Sequence, residues 1–137
     1  MEFEITHQPR EEARDAIGAG LRAYNKLHLG EFEWTALDVY ARDPQGPVVG
    51  GLIGYFALGW LTIHVLWVEE GHRGQGLGSA ILKKAEDEAL RNGCHGAVLD
   101  TLSFQAPAFY EKRGYVRIGM VEDYIGGCRR FFLQKRL

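Results

Sequence analysis

The sequence predicts a single α/β domain built on a mixed β-sheet, and three observations support this fold class. An apolar run at residues 61–68 leads through a glycine-rich loop into an amphipathic helix. A second apolar run at residues 96–101 follows that helix, so the unit should be a right-handed crossover between parallel strands. Further strand-like segments close the chain, and 137 residues suit one domain over residues 1–137.

The segments before the crossover alternate between helix and strand patterns. Residues 3–6 alternate as a short strand, and Pro9 with two acidic residues marks a helix start. That helix should end within residues 25–30, and an irregular link or short second helix should follow at 31–34. The pattern then predicts strands at 36–42, 48–57 and 61–68, with a turn at 43–47.

The helix after the glycine-rich loop is strongly amphipathic. Its apolar face carries Leu77, Ile81, Leu82, Ala85, Ala89 and Leu90, and its polar face carries Lys83, Lys84, Glu86, Asp87, Glu88 and Arg91. Asn92-Gly93 should end it. A short helix at 105–113 and strands at 115–120 and 130–137 complete the prediction.

Composition excludes several function classes. Sixteen Lys plus Arg against eighteen Asp plus Glu give a net charge of −2, which supplies no general attraction for nucleic acid or acidic membranes. Cys94 and Cys128 lack metal-ligand spacing, so neither a disulfide framework nor a metal site is predicted. The acidic start at residues 1–4 is not typical of a targeting segment, which predicts a cytoplasmic protein. Residues 44–68 carry no charge, but Gly50, Gly51, Gly54 and Gly59 interrupt the apolar part of this run and favour two strands over a membrane span.

The loop at residues 71–79 predicts an anion site, because free backbone N–H groups point out of a helix N-terminus. Gly71 and Gly76 have the spacing that begins a P-loop, but Leu77-Gly78 stands where its lysine and hydroxyl residue should be. A dinucleotide fingerprint stays open as a lesser alternative. A dinucleotide motif turns directly out of its strand, but here residues 69–73 separate the strand from the glycines. In addition, fewer than sixty residues follow the loop, too few for the rest of a dinucleotide-binding sheet.

The loop resembles a known cofactor-binding motif. Its sequence, Arg73-Gly74-Gln75-Gly76-Leu77-Gly78, is similar to the (Arg or Gln)-x-x-Gly-x-(Gly or Ala) loop of the GNAT-type N-acetyltransferase superfamily. In that superfamily the loop holds the pyrophosphate of acetyl-CoA. Side chains in place of the three glycines would keep phosphate oxygens away from the backbone amides.

A second segment strengthens the resemblance. Residues 103–115 read Ser-Phe-Gln-Ala-Pro-Ala-Phe-Tyr-Glu-Lys-Arg-Gly-Tyr, similar to the superfamily pattern Asn-x-x-Ala-x-x-Phe-Tyr-Glu-Lys-x-Gly-Phe. Together the motifs cover residues 61–115. The resemblance implies an α/β (α+β) GNAT-like fold with a central, mixed, mostly antiparallel sheet of about six to seven strands. The sheet should be splayed at its middle and flanked by three to four helices.

The resemblance also implies the site residues. Tyr110 would donate a proton to the departing CoA thiolate, and Ser103, in place of the usual Asn, would contact the cofactor with shorter reach. Pantetheine would lie between the splayed strands and pair with backbone groups of Leu66 and Val68. The implied acetyl-CoA contacts are Leu66, Trp67, Val68, His72, Arg73, Gly74, Gln75, Gly76, Leu77, Gly78, Ser79, Ser103, Ala106, Phe109 and Tyr110.

Acyl transfer to an amine also needs a group that accepts the amine proton. If the strand at 61–68 alternates regularly, His64 shares a face with Leu66 and Val68 and points into the same cleft. Imidazole changes its protonation near neutral pH, so His64 is the candidate base. Glu69, Glu70 and Asp100 remain competitors.

The predicted function is therefore direct acetyl transfer from acetyl-CoA to a primary amine of a small molecule or peptide, through a ternary complex and without a metal. Residues 31–34 and the segment 122–128 are candidate acceptor contacts, because carboxylates and aromatic rings suit a cationic amine. Superfamily members often dimerise, so a homodimer is an open expectation. The alternatives are a non-catalytic acyl-CoA sensor and a dinucleotide-binding module.

Overall fold

The computed structural model describes all residues 1–137, which divide into two compact units, Met1–Glu33 and Trp34–Leu137. The first unit contains helix α1, Glu11–Leu29. Acidic residues occupy its first turn and basic residues its last, which suits the helix dipole. Gly30 ends the helix with a φ of 71°, close to the predicted end. Residues 3–6 form no strand, because four alternating residues without a paired neighbour leave their backbone groups unsatisfied.

The second unit contains a six-stranded sheet and two further helices. Its elements are β1 Thr35–Arg42, β2 Val48–Ala57, β3 Trp60–Val68, α2 Leu77–Arg91, β4 Gly96–Leu102, α3 Pro107–Glu111, β5 Val116–Tyr124 and β6 Cys128–Arg136. A single 3₁₀ turn, Glu70–His72, lies between β3 and α2. The strand order is β1-β2-β3-β4-β6-β5, with one parallel pair among otherwise antiparallel neighbours. The mixed, mainly antiparallel sheet and the three helices confirm the predicted fold class.

Most predicted elements are present, and the largest differences in bounds are at α3 and β5. The helix predicted at 105–113 is shorter, because the Gln105 carboxamide accepts a hydrogen bond from the Leu102 amide at 2.7 Å and holds a turn there. Pro107 then starts α3, a position where its missing N–H costs nothing. The strand predicted at 115–120 continues to Tyr124, so part of the segment 122–128 belongs to the β5–β6 hairpin.

Helix α2 covers the core face of the sheet. It buries Ile81, Leu82, Ala85 and Ala89, as predicted. Glu86 and Leu90 exchange the predicted roles, since Glu86 is 7% exposed and Leu90 is 48% exposed. The Glu86 carboxylate accepts a hydrogen bond from the buried Tyr115 hydroxyl at 2.8 Å and pairs with Lys135 at 3.1 Å. These partners offset the cost of burying its charge.

The parallel pair β3 and β4 confirms the predicted crossover, but it is short. Pairing runs only from Trp60 opposite Gly96 to Ile63 opposite Leu99. Beyond these residues the two strands separate, so a cleft opens in the middle of the sheet. No helix of the chain combines the length and apolar character needed to cross a bilayer. Both cysteines are free thiols.

Candidate active site

The cleft between the separated ends of β3 and β4 is the main cavity of the protein. It has a volume of about 770 Å³, and the 71–79 loop, the start of α2 and helix α3 complete its walls. This volume lies within the usual range for small-molecule sites, about 300–1,000 Å³. The short parallel pairing therefore creates a ligand-sized space next to the predicted anion loop.

Two loop glycines have backbone conformations that other residues rarely adopt. Gly74 and Gly76 have φ values of 75° and 81°, and the space above both is open. Gly76 also precedes the first residue of α2, whose first-turn amides have no intrahelical acceptor. Gly78 has another function, because an added Cβ would lie 3.4 Å from the Phe109 ring. Gly78 therefore allows α2 to pack closely on α3, although the added Cβ would still be at ordinary contact distance.

The charges around the loop favour an anion. The first turn of α2 contains no acidic residue, and the Arg73 side chain donates a hydrogen bond to the Val68 carbonyl at 2.9 Å without forming an ion pair. This bond uses one of the two lone pairs of the Val68 carbonyl. The His72 Nδ1 lies 3.0 Å from the Glu69 carboxylate, but its angle is not that of a hydrogen bond.

Tyr110 lies on α3 with its ring in the cleft wall. It is 7% exposed, its ring packs edge-on against Phe109 and Tyr115, and its hydroxyl has no hydrogen-bond partner within the protein. Burial raises the pKa of Tyr110 to about 12. The phenol therefore keeps its proton at neutral pH, so its hydroxyl is a donor toward an anion that forms in the cleft.

His64 lines the cleft, but regular alternation does not place it there. A β-bulge interrupts β3, since Ile53 pairs with Val65 and Gly54 pairs with Ile63, so His64 has no partner. The core-facing positions change from Ile63 to Leu66 across this bulge. The premise that His64 shares a face with Leu66 and Val68 is therefore wrong. The bulge turns the histidine into the cleft, and the Tyr55 ring packs against it at 5.2 Å.

The three competing carboxylates differ in position. Asp100 lines the cleft opposite His64, but its carboxylate pairs with Arg130 at 3.0 Å, and Arg130 also contacts the Tyr124 hydroxyl. Glu69 and Glu70 lie outside the cavity lining. Trp34, from the candidate acceptor segment, packs against Tyr55 at 4.8 Å and thus extends the row of rings that ends at His64.

Most of the residues implied as acetyl-CoA contacts line the cleft, and two do not. Gln75 lies outside the lining, and the Ser103 hydroxyl accepts a hydrogen bond from the Arg129 amide at 3.0 Å, which ties it to β6. The contacts that do line the cleft are Leu66, Trp67, Val68, His72, Arg73, Gly74, Gly76, Leu77, Gly78, Ser79, Ala106, Phe109 and Tyr110.

Sequence reasoning missed several lining residues, of which Arg113 is the most polar. Its guanidinium lies 3.7 Å from the centre of the Phe109 ring, and it donates to the Ser79 hydroxyl at 3.0 Å. Arg113 occupies the variable position of the second motif, so the motif carries no signal for it. A basic residue three positions after the Phe-Tyr pair was the only available hint. Nowhere in the chain do three or more potential ligand side chains form a metal-binding group.

Comparison with known proteins identifies the class of protein that this fold and cleft define. The family model "Acetyltransferase (GNAT) family" matches residues 7–115. An acetyltransferase from Agrobacterium fabrum is 38% identical over 136 residues, covering 99% of both chains. The blasticidin-S acetyltransferase of Streptomyces morookaense is 40% identical over 127 residues, covering 90% of this chain and 92% of that protein.

A solved structure agrees with these relatives. A crystal structure from Agrobacterium tumefaciens superposes with a TM-score of 0.93 at 37% sequence identity, and the match covers 100% of both chains. The chain thus belongs to the GNAT acetyltransferase family, and the protein is an acetyltransferase with the GNAT fold.

Proposed function

We propose that this acetyltransferase moves the acetyl group of acetyl-CoA directly to a primary amine within a ternary complex. The observation that supports this most strongly is the single cleft lined by the loop, by Tyr110 and by His64. Acetyl-CoA supplies an activated thioester, and residues 73–79 would bind its pyrophosphate through their amides. The open space above Gly74 and Gly76 and the absence of acidic residues there fit this group.

The proposed chemistry assigns one proton to each side of the cleft. The amine nitrogen forms a bond to the thioester carbonyl carbon, and the carbon–sulfur bond breaks. Tyr110 gives its proton to the leaving sulfur, and its raised pKa of about 12 keeps that proton available at neutral pH. His64 takes the proton that the amine loses. Tyr55, which packs on the imidazole, would hold His64 in the required orientation.

The acceptor in this proposal is a small-molecule amine. A relative that is 40% identical over most of its length is named a blasticidin-S acetyltransferase, so blasticidin S is the first acceptor to test. A peptide amine is the second candidate. We further propose that residues 1–137 act as one acetyltransferase domain, in the cytoplasm and as a homodimer.

The test combines binding and turnover. A thermal-shift panel should show stabilisation by acetyl-CoA, and thiol release should appear with at least one amine in a panel that includes blasticidin S. No stabilisation at about millimolar CoA would contradict the proposal, because ligand far above its Kd stabilises a protein by several kcal/mol. Binding without turnover for any amine would indicate an acyl-CoA sensor instead.

The role of His64 is tested by its pH profile with saturating amine. The His64→Ala variant should lose about 10²-fold in kcat and lose the acidic limb of the profile. Asp100→Asn is the comparison, because Asp100 is the carboxylate in the cleft lining. If Asp100→Asn removes the acidic limb while His64→Ala retains it, Asp100 is the base and the assignment of His64 is wrong.

A further inference from the structure

A second cavity of about 390 Å³ lies next to the cleft, between α2 and the end of β6. Leu82 and Leu90 give it an apolar wall, and Lys83 and Lys135 bring positive charge. Two residues, Ser79 and Arg113, line both cavities. These two residues therefore lie at the boundary between the cleft and the second cavity.

Arg113 differs from the lysines of this cavity because its charge is not neutralised. Lys83 pairs with Asp87 and Lys135 pairs with Glu86, at 2.9 Å and 3.1 Å. Arg113 forms no ion pair and donates only to the Ser79 hydroxyl and the Phe109 carbonyl. These bonds use two of the five N–H donors of a guanidinium, so three stay available to an anion. The Phe109 ring and Ser79 also hold the guanidinium in place.

We propose that Arg113 binds the 3′-phosphate at the adenosine end of CoA and that the second cavity receives the adenosine. The proposal deepens the proposed function and rests on it. The pyrophosphate would lie at the amides of the first turn of α2, and the Arg113 side chain donates to the hydroxyl of Ser79 in that turn at 3.0 Å. Arg113 therefore lies beside the pyrophosphate position, on the side that opens into the second cavity. A planar guanidinium with free donors suits a phosphate dianion. The cavity has a second guanidinium, that of Arg136, but it lies over the Trp60 ring at 5.3 Å and does not line the cleft, whereas Arg113 lines both cavities.

Isothermal titration of the protein with CoA and with 3′-dephospho-CoA tests the proposal, since the two ligands differ only in that phosphate. The wild-type chain should bind CoA about tenfold or more tightly than dephospho-CoA. Arg113→Gln should weaken CoA binding by about tenfold and change dephospho-CoA binding by less than about twofold. Lys112→Gln is the matched control, because it removes the same charge from the neighbouring residue, which lines neither cavity.

The outcomes distinguish failure of the 3′-phosphate site from failure of the proposed use of acetyl-CoA. Equal binding of both ligands by the wild-type chain overturns the 3′-phosphate site without the need for any variant. An equal loss for both ligands in Arg113→Gln also overturns it, because Arg113 would then act on the pyrophosphate or on the packing of α3. Arg113→Lys, which keeps the charge, should retain part of the preference if Arg113→Gln folds poorly. Failure of the wild-type chain to bind either ligand contradicts the proposed use of acetyl-CoA itself.

Discussion

Two buried tyrosines, Tyr110 on α3 and Tyr115 just before β5, have different surroundings. The Tyr110 hydroxyl has no partner within the protein and lies at the cleft. The Tyr115 hydroxyl donates to Glu86, and burial together with that carboxylate raises its pKa. Because the two rings pack edge-on at 5.8 Å, Tyr115 also supports the position of Tyr110. The Tyr110 hydroxyl is therefore free for the proposed proton transfer, whereas the Tyr115 hydroxyl is used in a buried hydrogen bond.

Removal of the two hydroxyls should separate the proposed catalytic role of Tyr110 from the structural role of Tyr115. Tyr110→Phe should lower kcat by about 10²-fold, because the departing thiolate loses its proton donor, and should barely affect the melting temperature. The matched change, Tyr115→Phe, leaves one buried hydrogen bond of Glu86 unmade and should lower the free energy of unfolding by about 1–3 kcal/mol. Steady-state kinetics and urea unfolding measure the two effects. A Tyr110→Phe enzyme with unchanged kcat would exclude Tyr110 as the acid.

At the scale of elements, irregular backbone forms the site. The left-handed Gly76 ends the loop and begins α2, so the free amides of the helix face the cleft. The bulge in β3 turns His64 out of the regular alternation. Gly54 makes this bulge possible, since an added Cβ would lie 2.4 Å from the Thr62 carbonyl oxygen. Regular helices and strands provide the scaffold, and the interruptions at Gly76 and at the β3 bulge orient the α2 amides and His64 toward the cleft.

A comparison of Gly76 with Gly71 tests whether the irregular backbone of the loop matters for stability and CoA binding. Gly76→Ala should lower the free energy of unfolding by about 1–2 kcal/mol, because a Cβ is disfavoured in the left-handed conformation, and should also weaken CoA binding. Gly71→Ala is the control, since Gly71 has neither a positive φ nor a neighbour within 4 Å; its stability should stay within about 0.5 kcal/mol of wild type. Urea unfolding and calorimetric titration measure both quantities. Equal effects of the two substitutions would show that the Gly76 conformation is unimportant.

At the scale of the whole molecule, the second unit joins its distant parts through buried polar contacts. Tyr115 and Lys135 meet at Glu86 of α2, and Arg113 joins α3 to the start of α2. Both tyrosines of this region are protonated in the folded chain. The raised pKa of Tyr110, about 12, exceeds the ordinary phenol value of 10.0 because of burial. Because these buried tyrosines hold their protons above the ordinary phenol pKa, the stability of the fold should depend on pH in the alkaline range.

The stability should fall as the pH rises from about 10 to about 12. The unfolded chain ionises its tyrosines near their ordinary pKa, whereas folded Tyr110 holds its proton up to about 12. The stabilisation is therefore complete below pH 10 and is lost through this window, at about 1.4 kcal/mol per pH unit for Tyr110. Urea unfolding at about pH 9 and about pH 11.5 measures it. Tyr110→Phe should lose less stability than wild type over this interval, and Tyr24→Phe, at an exposed tyrosine, should behave as wild type.

The sequence by itself determined the crossover unit, the glycine-rich loop before α2 and the segment that carries Tyr110. Each of these depends on residues close together in the chain, where periodicity and glycine or proline preferences act directly. The same local reasoning also predicted the apolar face of α2 with only two exchanged positions, Glu86 and Leu90.

Only the tertiary structure decided the features that depend on distant partners. Glu86 is buried because Tyr115 and Lys135, 29 and 49 residues away, offer it hydrogen bonds. His64 faces the cleft because pairing with β2 shifts by one residue, and a one-residue shift reverses the faces of a strand. Arg113 lies against Ser79, 34 residues earlier, only once α3 packs on α2. Local patterns cannot specify these contacts, because each forms between segments that only the folded sheet brings together.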